Sequence, residues 1–232
     1  MLFQKLFLIL ELNQNSDPEM KYPILYSFRR CPYAMRARMA LAYSGIIYEH
    51  REILLKNRPK DLYDISAKGT VPVLQVEESN ILEESLDIMK WALKISDNDY
   101  WYKEDILVQD TFIYDNDRNF KSKLDKYKYH IRYPELSFEE HRLNVIEFLE
   151  KYDYLLKSQS YLINNKISLA DIAIFPFIRQ CANVDFLWFQ PNFPNLNKWL
   201  EIFKDSNLFK TIMNKFPIWD KGNNTIIINK SI

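Results

Sequence analysis

Apolar positions in the first hundred residues switch repeatedly between strand-like and helix-like spacing. Ile24 to Phe28 (Ile-Leu-Tyr-Ser-Phe) follows Pro23 and reads as a short β-strand. Pro32 then opens a helical stretch in which Met35, Met39 and Ala42 recur at i, i+4 and i+7, until Gly45 ends it. Ile46 to Ile53 reads as a second strand, and Pro59 to Ile65 as a short helix with Lys68-Gly69 as its exit. Val71 to Val76 forms a third strand, and Asn80 to Leu82 a fourth after a tight turn. A helix begins near Ser85, with Ile88, Met89, Ala92 and Ile95 on one face. The crossover between the first two strands favours their parallel pairing.

After Asp97-Asn98-Asp99 the period becomes helical and stays so. Helices are predicted over Lys103–Lys126, Ser137–Lys157, Ser168–Cys181, Pro194–Asp205 and Ser206–Met213. Ser168-Leu169-Ala170-Asp171 has capping-box spacing, and Ile172 to Ile178 is apolar all round, which marks a buried central helix that Pro176 would kink. A mixed α/β half followed by an all-helical half predicts two domains, residues 20–96 and 103–216. Residues 217–232 form a tail whose β-prone segment, Thr225 to Ile228, has no assigned partner. Residues 1–19 read as a dispensable extension, with Met20 as an alternative start. Glu11 interrupts the apolar run, and no small-x-small site follows, so a signal peptide is not indicated.

Composition narrows the class. With 31 Lys+Arg against 31 Asp+Glu, the formal charge is zero, which argues against a long-range pull toward nucleic acid or an anionic membrane. Only 3 glycines and 15% aromatics fit a densely packed, mainly helical chain better than a Gly-rich β fold. No run approaches a membrane span. Two cysteines, Cys31 and Cys181, make no disulfide framework and imply a reduced, cytoplasmic protein. His50, His130 and His141 lack ligand spacing with one another or with the cysteines, so no metal is expected.

Cys31-Pro32-Tyr33-Ala34 lies directly after a strand and opens a helix. There the free helical amides and the dipole favour a thiolate, and Arg29, Arg30 and Arg36 add positive potential, so a lowered thiol pKa is expected. The competing reading is a small buried hydrophobe. Thr70-Val71-Pro72-Val73 places a proline at a strand start, where an X-Pro bond can be cis; a simple edge-strand proline is the alternative. Glu83-Glu84-Ser85 begins a helix and offers either a carboxylate site or an ordinary cap. Tyr26 and Ser27 belong to the first strand. The Lys121–Lys128 run reads as a solvated helix face, and Trp188, Phe189 and Phe193 as packing residues of a Pro-rich loop.

Taken in order, strand, Cys-Pro-Tyr-Ala, helix, Thr-Val-Pro-Val-Leu, Glu-Ser and a helical half bearing Ser-Leu-Ala-Asp resemble the glutathione transferase superfamily over residues 22–213. The Phe28–Arg36 segment is similar to its cysteine-type members, chiefly the omega-like and glutaredoxin-2-like groups. The resemblance implies a thioredoxin-like N-terminal domain followed by an α-helical bundle. Cys31 is then the nucleophile and Tyr33 its aromatic neighbour. Arg58, the Val71 main chain before a cis Pro72, and Glu84 with Ser85 form a glutathione cradle. It also implies a homodimer, and a C-terminal segment in which Trp219 covers the pocket.

Ala34 occupies the place of the second cysteine of glutaredoxin-2-like proteins, which leaves a monothiol cycle through a Cys31–glutathione mixed disulfide. A conjugating transferase, a dehydroascorbate reductase and a non-catalytic interaction module on the same fold are the alternatives.

Overall fold

A computed structural model describes residues 22–222 and 225–229. The predicted extension, the Met20 start and the end of the tail lie outside the described residues.

Alternation in the first strand determines which side each helix covers. Along β1 (Ile24–Ser27), Ile24 and Tyr26 face one side of the sheet with Ile53, Leu62, Val71 and Val73. Leu25 faces the other, against α1 (Pro32–Tyr43) and α3 (Ser85–Ile95). β2 (Tyr48–Glu52) lies parallel to β1, as the crossover predicts. Beyond α2 (Lys60–Ile65), β3 (Val73–Glu77) runs antiparallel to β1, and β4 (Asn80–Leu82) antiparallel to β3.

The tail supplies a fifth strand, β5 (Ile227–Ile228), giving the order β4-β3-β1-β2-β5. It pairs antiparallel with β2, and the His50 amide donates to the Ile226 carbonyl at 2.8 Å. This places the β-prone segment left unassigned by the sequence: it closes the open edge of β2.

The long helix predicted after residue 103 is interrupted. α4 (Ile106–Asp115) passes into a π turn (Asn116–Phe120) and then α5 (Lys121–Lys128). After a 3-10 turn at His130–Arg132 come α6 (Phe138–Leu155) and α7 (Leu169–Ala182). The segment 186–192, expected as a loop, is a helix, α8 (Phe186–Asn192), capped by the Asp185 side chain. α9 (Pro194–Asp205) and α10 (Asn207–Ile212) complete the bundle. Among the described residues, no helix is long and apolar enough to cross a membrane.

α7 is buried from Leu169 to Ile178 and continues through Pro176. Its core is continuous with that of α1 and α3, so sheet and bundle share one apolar interior. Asp171 anchors the start of α7. Its carboxylate accepts from the Leu162 amide (2.8 Å), the Ser168 amide (3.0 Å) and hydroxyl (2.6 Å), and the Trp199 indole (3.0 Å). Burial pushes its pKa up while these donors pull it down. Asp171→Ala strips the acceptor from several buried donors at once. Denaturant unfolding should therefore show a loss of about 3 kcal/mol or more; a loss under about 1 kcal/mol would mean that water or neighbours replace the carboxylate.

Candidate functional site

Cys31 is the N-cap of α1, immediately after the loop that leaves β1. Its amide donates to the Phe28 carbonyl at 3.0 Å, and its carbonyl accepts from the Met35 amide at 2.9 Å. Pro32 occupies the first helical position, where its missing N–H costs nothing. The half-buried thiol donates to the Val71 carbonyl at 3.6 Å, and the Val71–Pro72 peptide is cis. The amides of Tyr33 and Ala34 point at the sulfur. Two segments 40 residues apart thus meet at one sulfur atom.

Burial pushes the Cys31 thiol above its ordinary value, against the lowering effect of those amides and of Arg38 and Lys121. This reverses the expectation of a lowered pKa, and the reason is structural. Arg36 spends its charge on Asp117, with N–O distances of 2.9 and 2.6 Å, while Arg30 is exposed and sits over the Phe28 ring. The cations whose fields reach the sulfur are Arg38, about two turns along α1, and Lys121, at the start of α5.

Arg38 is 2% exposed and forms no ion pair among the described residues. It donates to the Phe28 carbonyl (3.4 Å), the Arg29 carbonyl (2.7 Å), the Ser27 hydroxyl (2.5 Å) and the Ile212 carbonyl (3.2 Å). The Arg29 amide donates to Glu52 Oε1 at 2.6 Å. The loop before Cys31 is thereby held from both sides.

The chain matches two family descriptions, "Glutathione S-transferase, N-terminal domain" over residues 25–99 and "Glutathione S-transferase, C-terminal domain" over residues 119–206. It belongs to the glutathione transferase superfamily. The fold is that of the superfamily, a thioredoxin-like mixed sheet followed by a helical bundle. Glutathione S-transferase omega-1 of Mus musculus is 39% identical over 62 residues, which cover 27% of this chain and 26% of the mouse protein. The chain thus matches about a quarter of the length of that relative. A probable glutathione transferase omega-2 of Caenorhabditis elegans is 24% identical across 90% of this chain and 92% of its own. A glutathione transferase family member from Pseudomonas fluorescens, solved with two glutathione bound, superposes with a TM-score of 0.73 at 16% identity. That superposition covers 83% of this chain and 92% of the other.

Within this glutathione transferase fold, the sequence-predicted residues fall into two groups. Cys31, Val71 and Pro72 meet directly. Tyr33 stands beside them, its ring edge-on to Phe177 at 4.9 Å, and burial and Asp117 push its hydroxyl up to about 12. Ser85 is tied to α1 through Arg36, whose Nε donates to Ser85 Oγ at 3.0 Å; Ser85 is 3% exposed. Glu84 is exposed and paired with Lys68 at 2.7 Å. Arg58 is separate: its guanidinium donates to the Tyr63 hydroxyl at 3.3 Å, and its Nε is buried without a partner.

Trp219, expected over the pocket, is held against β1 and β2. Its amide donates to the Glu52 carbonyl at 2.8 Å, and its ring packs against Tyr26 and under the Arg51 guanidinium. Cys181 is buried in α7, and burial pushes its thiol strongly up. Among the described residues, no cluster of three or more His, Cys, Asp and Glu is arranged to hold a metal ion.

Sequence reasoning missed Arg38 and Lys121. The signal for Arg38 was a charged residue at a position otherwise surrounded by Met, Ala and Leu. Lys121 was read as part of a solvated face, yet it pairs with Asp125 and lies 5.9 Å from the Tyr33 ring.

A raised thiol pKa predicts that the rate of iodoacetamide alkylation of Cys31 keeps climbing with pH through about 8.5. Peptide mass mapping against Cys31→Ser checks it; a plateau near neutral pH would show the thiolate already dominant.

Proposed function

We propose that this glutathione transferase-type protein is a glutathione-dependent thiol transferase, omega-like in character, with Cys31 as a monothiol nucleophile. The Cys31 thiolate attacks the glutathionyl sulfur of a mixed disulfide RS–SG. The S–S bond breaks, R leaves as a thiolate that takes up a proton, and Cys31–S–SG remains. A second glutathione thiolate then attacks that disulfide, giving GSSG and the Cys31 thiolate. The observation that carries the reading is the Cys31 sulfur at the start of α1, faced by the Tyr33 and Ala34 amides and 3.6 Å from the Val71 carbonyl.

In this reading, the Val71 main chain pairs with the cysteinyl backbone of glutathione. The Val71 carbonyl is the acceptor that now favours the protonated thiol. Glutathione's amide competes for it, which lowers the cost of losing the proton when substrate is bound. Glu84 and Ser85, at the start of α3, take the γ-glutamyl amine and carboxylate, and Arg58 takes the remaining carboxylate. The homodimer implied by the resemblance is supported by apolar side chains exposed on α4: Leu107 is 83% exposed and Tyr114 64%.

The raised thiol favours one second reading, a conjugating transferase that activates glutathione's own sulfur. The two separate cleanly. After incubation with oxidised glutathione, mass spectrometry should show one glutathionyl adduct on Cys31; its absence there sinks the thiol-transfer reading. Cys31→Ser and Cys31→Ala should each lower disulfide reduction by about 10³-fold. Conjugation kept or raised in Cys31→Ala, with reduction unaffected, identifies the conjugating enzyme instead.

A further inference from the structure

Where the tail leaves α10 and returns as β5, the chain encloses a cavity of about 190 Å³ at the β2 edge of the sheet. Ala42 of α1, Tyr48 of β2, Ile212 at the end of α10, and Phe216, Ile227 and Ile228 of the tail form most of its wall. Ala42 lies three turns along α1 from Cys31, a rise of about 16 Å, and neither Cys31, Tyr33, Val71 nor Ser85 borders the cavity. The tail and the end of α10 also fall beyond residues 25–99 and 119–206, the stretches that match the two family descriptions. Most of this cavity is therefore built outside them.

Its walls are held in place. The Ile212 carbonyl accepts from Arg38 Nε at 3.2 Å, and the Ile226 carbonyl from the His50 amide at 2.8 Å. The Phe216 ring packs 4.7 Å from the ring of His50, which is buried. A preformed cavity spares a ligand the cost of ordering its site. Among the described residues that line it, none is charged, so a charged ligand would lose its hydration with no counter-charge to replace it. Size limits the ligand further: an apolar cavity of about 150 Å³ accepts benzene, so this one suits a single ring with a small substituent.

Tyr48 gives the cavity its polar point. The residue is 2% exposed, and its hydroxyl has no hydrogen-bond partner among the described residues. Burial pushes that hydroxyl up to about 12, so it stays protonated and able to donate. Buried hydroxyls are nearly always paired, and one left bordering a cavity is matched by an oxygen placed inside it.

We propose that this cavity is a second ligand site, taking a neutral single-ring aromatic with one hydroxyl, a phenol-class molecule. The ligand's oxygen pairs with the Tyr48 hydroxyl, and its ring packs against Phe216 and the isoleucines. The site is independent of the glutathione reading of Cys31.

Two probes of nearly equal shape test it by fluorine NMR titration: 4-fluorophenol, which carries the hydroxyl, and fluorobenzene, which does not. Both should bind the unaltered protein, with 4-fluorophenol at a Kd below about 1 mM. Saturating S-hexylglutathione should displace neither. Tyr48→Phe should weaken 4-fluorophenol about fivefold and leave fluorobenzene within about twofold. Thr211→Phe, which fills the cavity from α10, should abolish binding of both. In the unaltered protein with labelled methyl groups, Overhauser contacts should join the phenol ring to Ile212, Ile227 and Ile228, a readout that needs no variant to fold.

Failure of both probes to bind means that the cavity holds solvent only, and overturns the site. Displacement by S-hexylglutathione, or Overhauser contacts elsewhere, puts the phenol at the Cys31 site or another surface and overturns it as well. Retained binding in folded Thr211→Phe does the same. Equal weakening of both probes in Tyr48→Phe makes the tyrosine structural and overturns the phenol preference.

Discussion

A guanidinium that has no carboxylate of its own holds the Cys31 region together. Arg38 is buried, and desolvation of its charge is offset by hydrogen bonds to two carbonyls of the loop after β1, to Ser27 at the end of β1, and to the last residue of α10. Those acceptors come from the strand, the loop and the far end of the chain. Burying such a charge is tolerable only while all of them stay in place. The loop conformation, the position of α10 and the placement of Cys31 are therefore one interdependent arrangement. Glu52 extends it on the other side by accepting the Arg29 amide and the His50 ring, and its carbonyl accepts from Trp219.

The other arginine of α1 performs a different task with a similar cost. Arg36 points to the helical half, where the π turn at Asn116–Phe120 brings Asp117 to meet it in a two-pronged pair. A π turn carries one residue more than an α turn and re-aims the side chains that follow. Here it directs Asp117 to Arg36 while Phe120 and Leu124 remain in the shared core. It also brings Lys121 beside Tyr33. Since α1 and α7 also bury their apolar faces against each other, the ion pair sets direction more than it adds cohesion.

The order of the elements was legible because it rests on short-range signals. Proline and glycine punctuate α1, alternation marks β1, and the Ser168–Asp171 box marks the start of α7. The pairing of β5 was illegible because two residues of strand acquire meaning only from the open edge of β2. The π turn was illegible because a helical period shows no local sign of one inserted residue. At the site, Cys31, Val71 and Pro72 could be named from sequence, since strand-to-helix position and X-Pro chemistry are local. The sign of the thiol shift could not. Arg29, Arg30 and Arg36 are near Cys31 in sequence, but Asp117 neutralises Arg36 from 81 residues away.

The thiol's state follows from which effect is larger at this sulfur. Helix amides and nearby cations favour the anion, yet most of that positive charge is already occupied: Arg36 by Asp117, Lys121 by Asp125, and Arg38 by carbonyl oxygens. Carbonyls carry only partial charge, so Arg38 keeps a net field, and its influence reaches Cys31. Desolvation acts on the whole charge of a thiolate, whereas each of these contributions acts on it in part, so burial prevails. In the proposed thiol-transfer reading, glutathione alters both sides of that balance. It brings donors to the sulfur's surroundings and engages the Val71 carbonyl. On that reading, a nucleophile kept protonated until its co-substrate arrives is shielded from stray oxidation, because the thiolate is the form that oxidants attack. A formal charge of zero for the whole chain is therefore no guide to the site, where the field depends on which arginines have already found a partner.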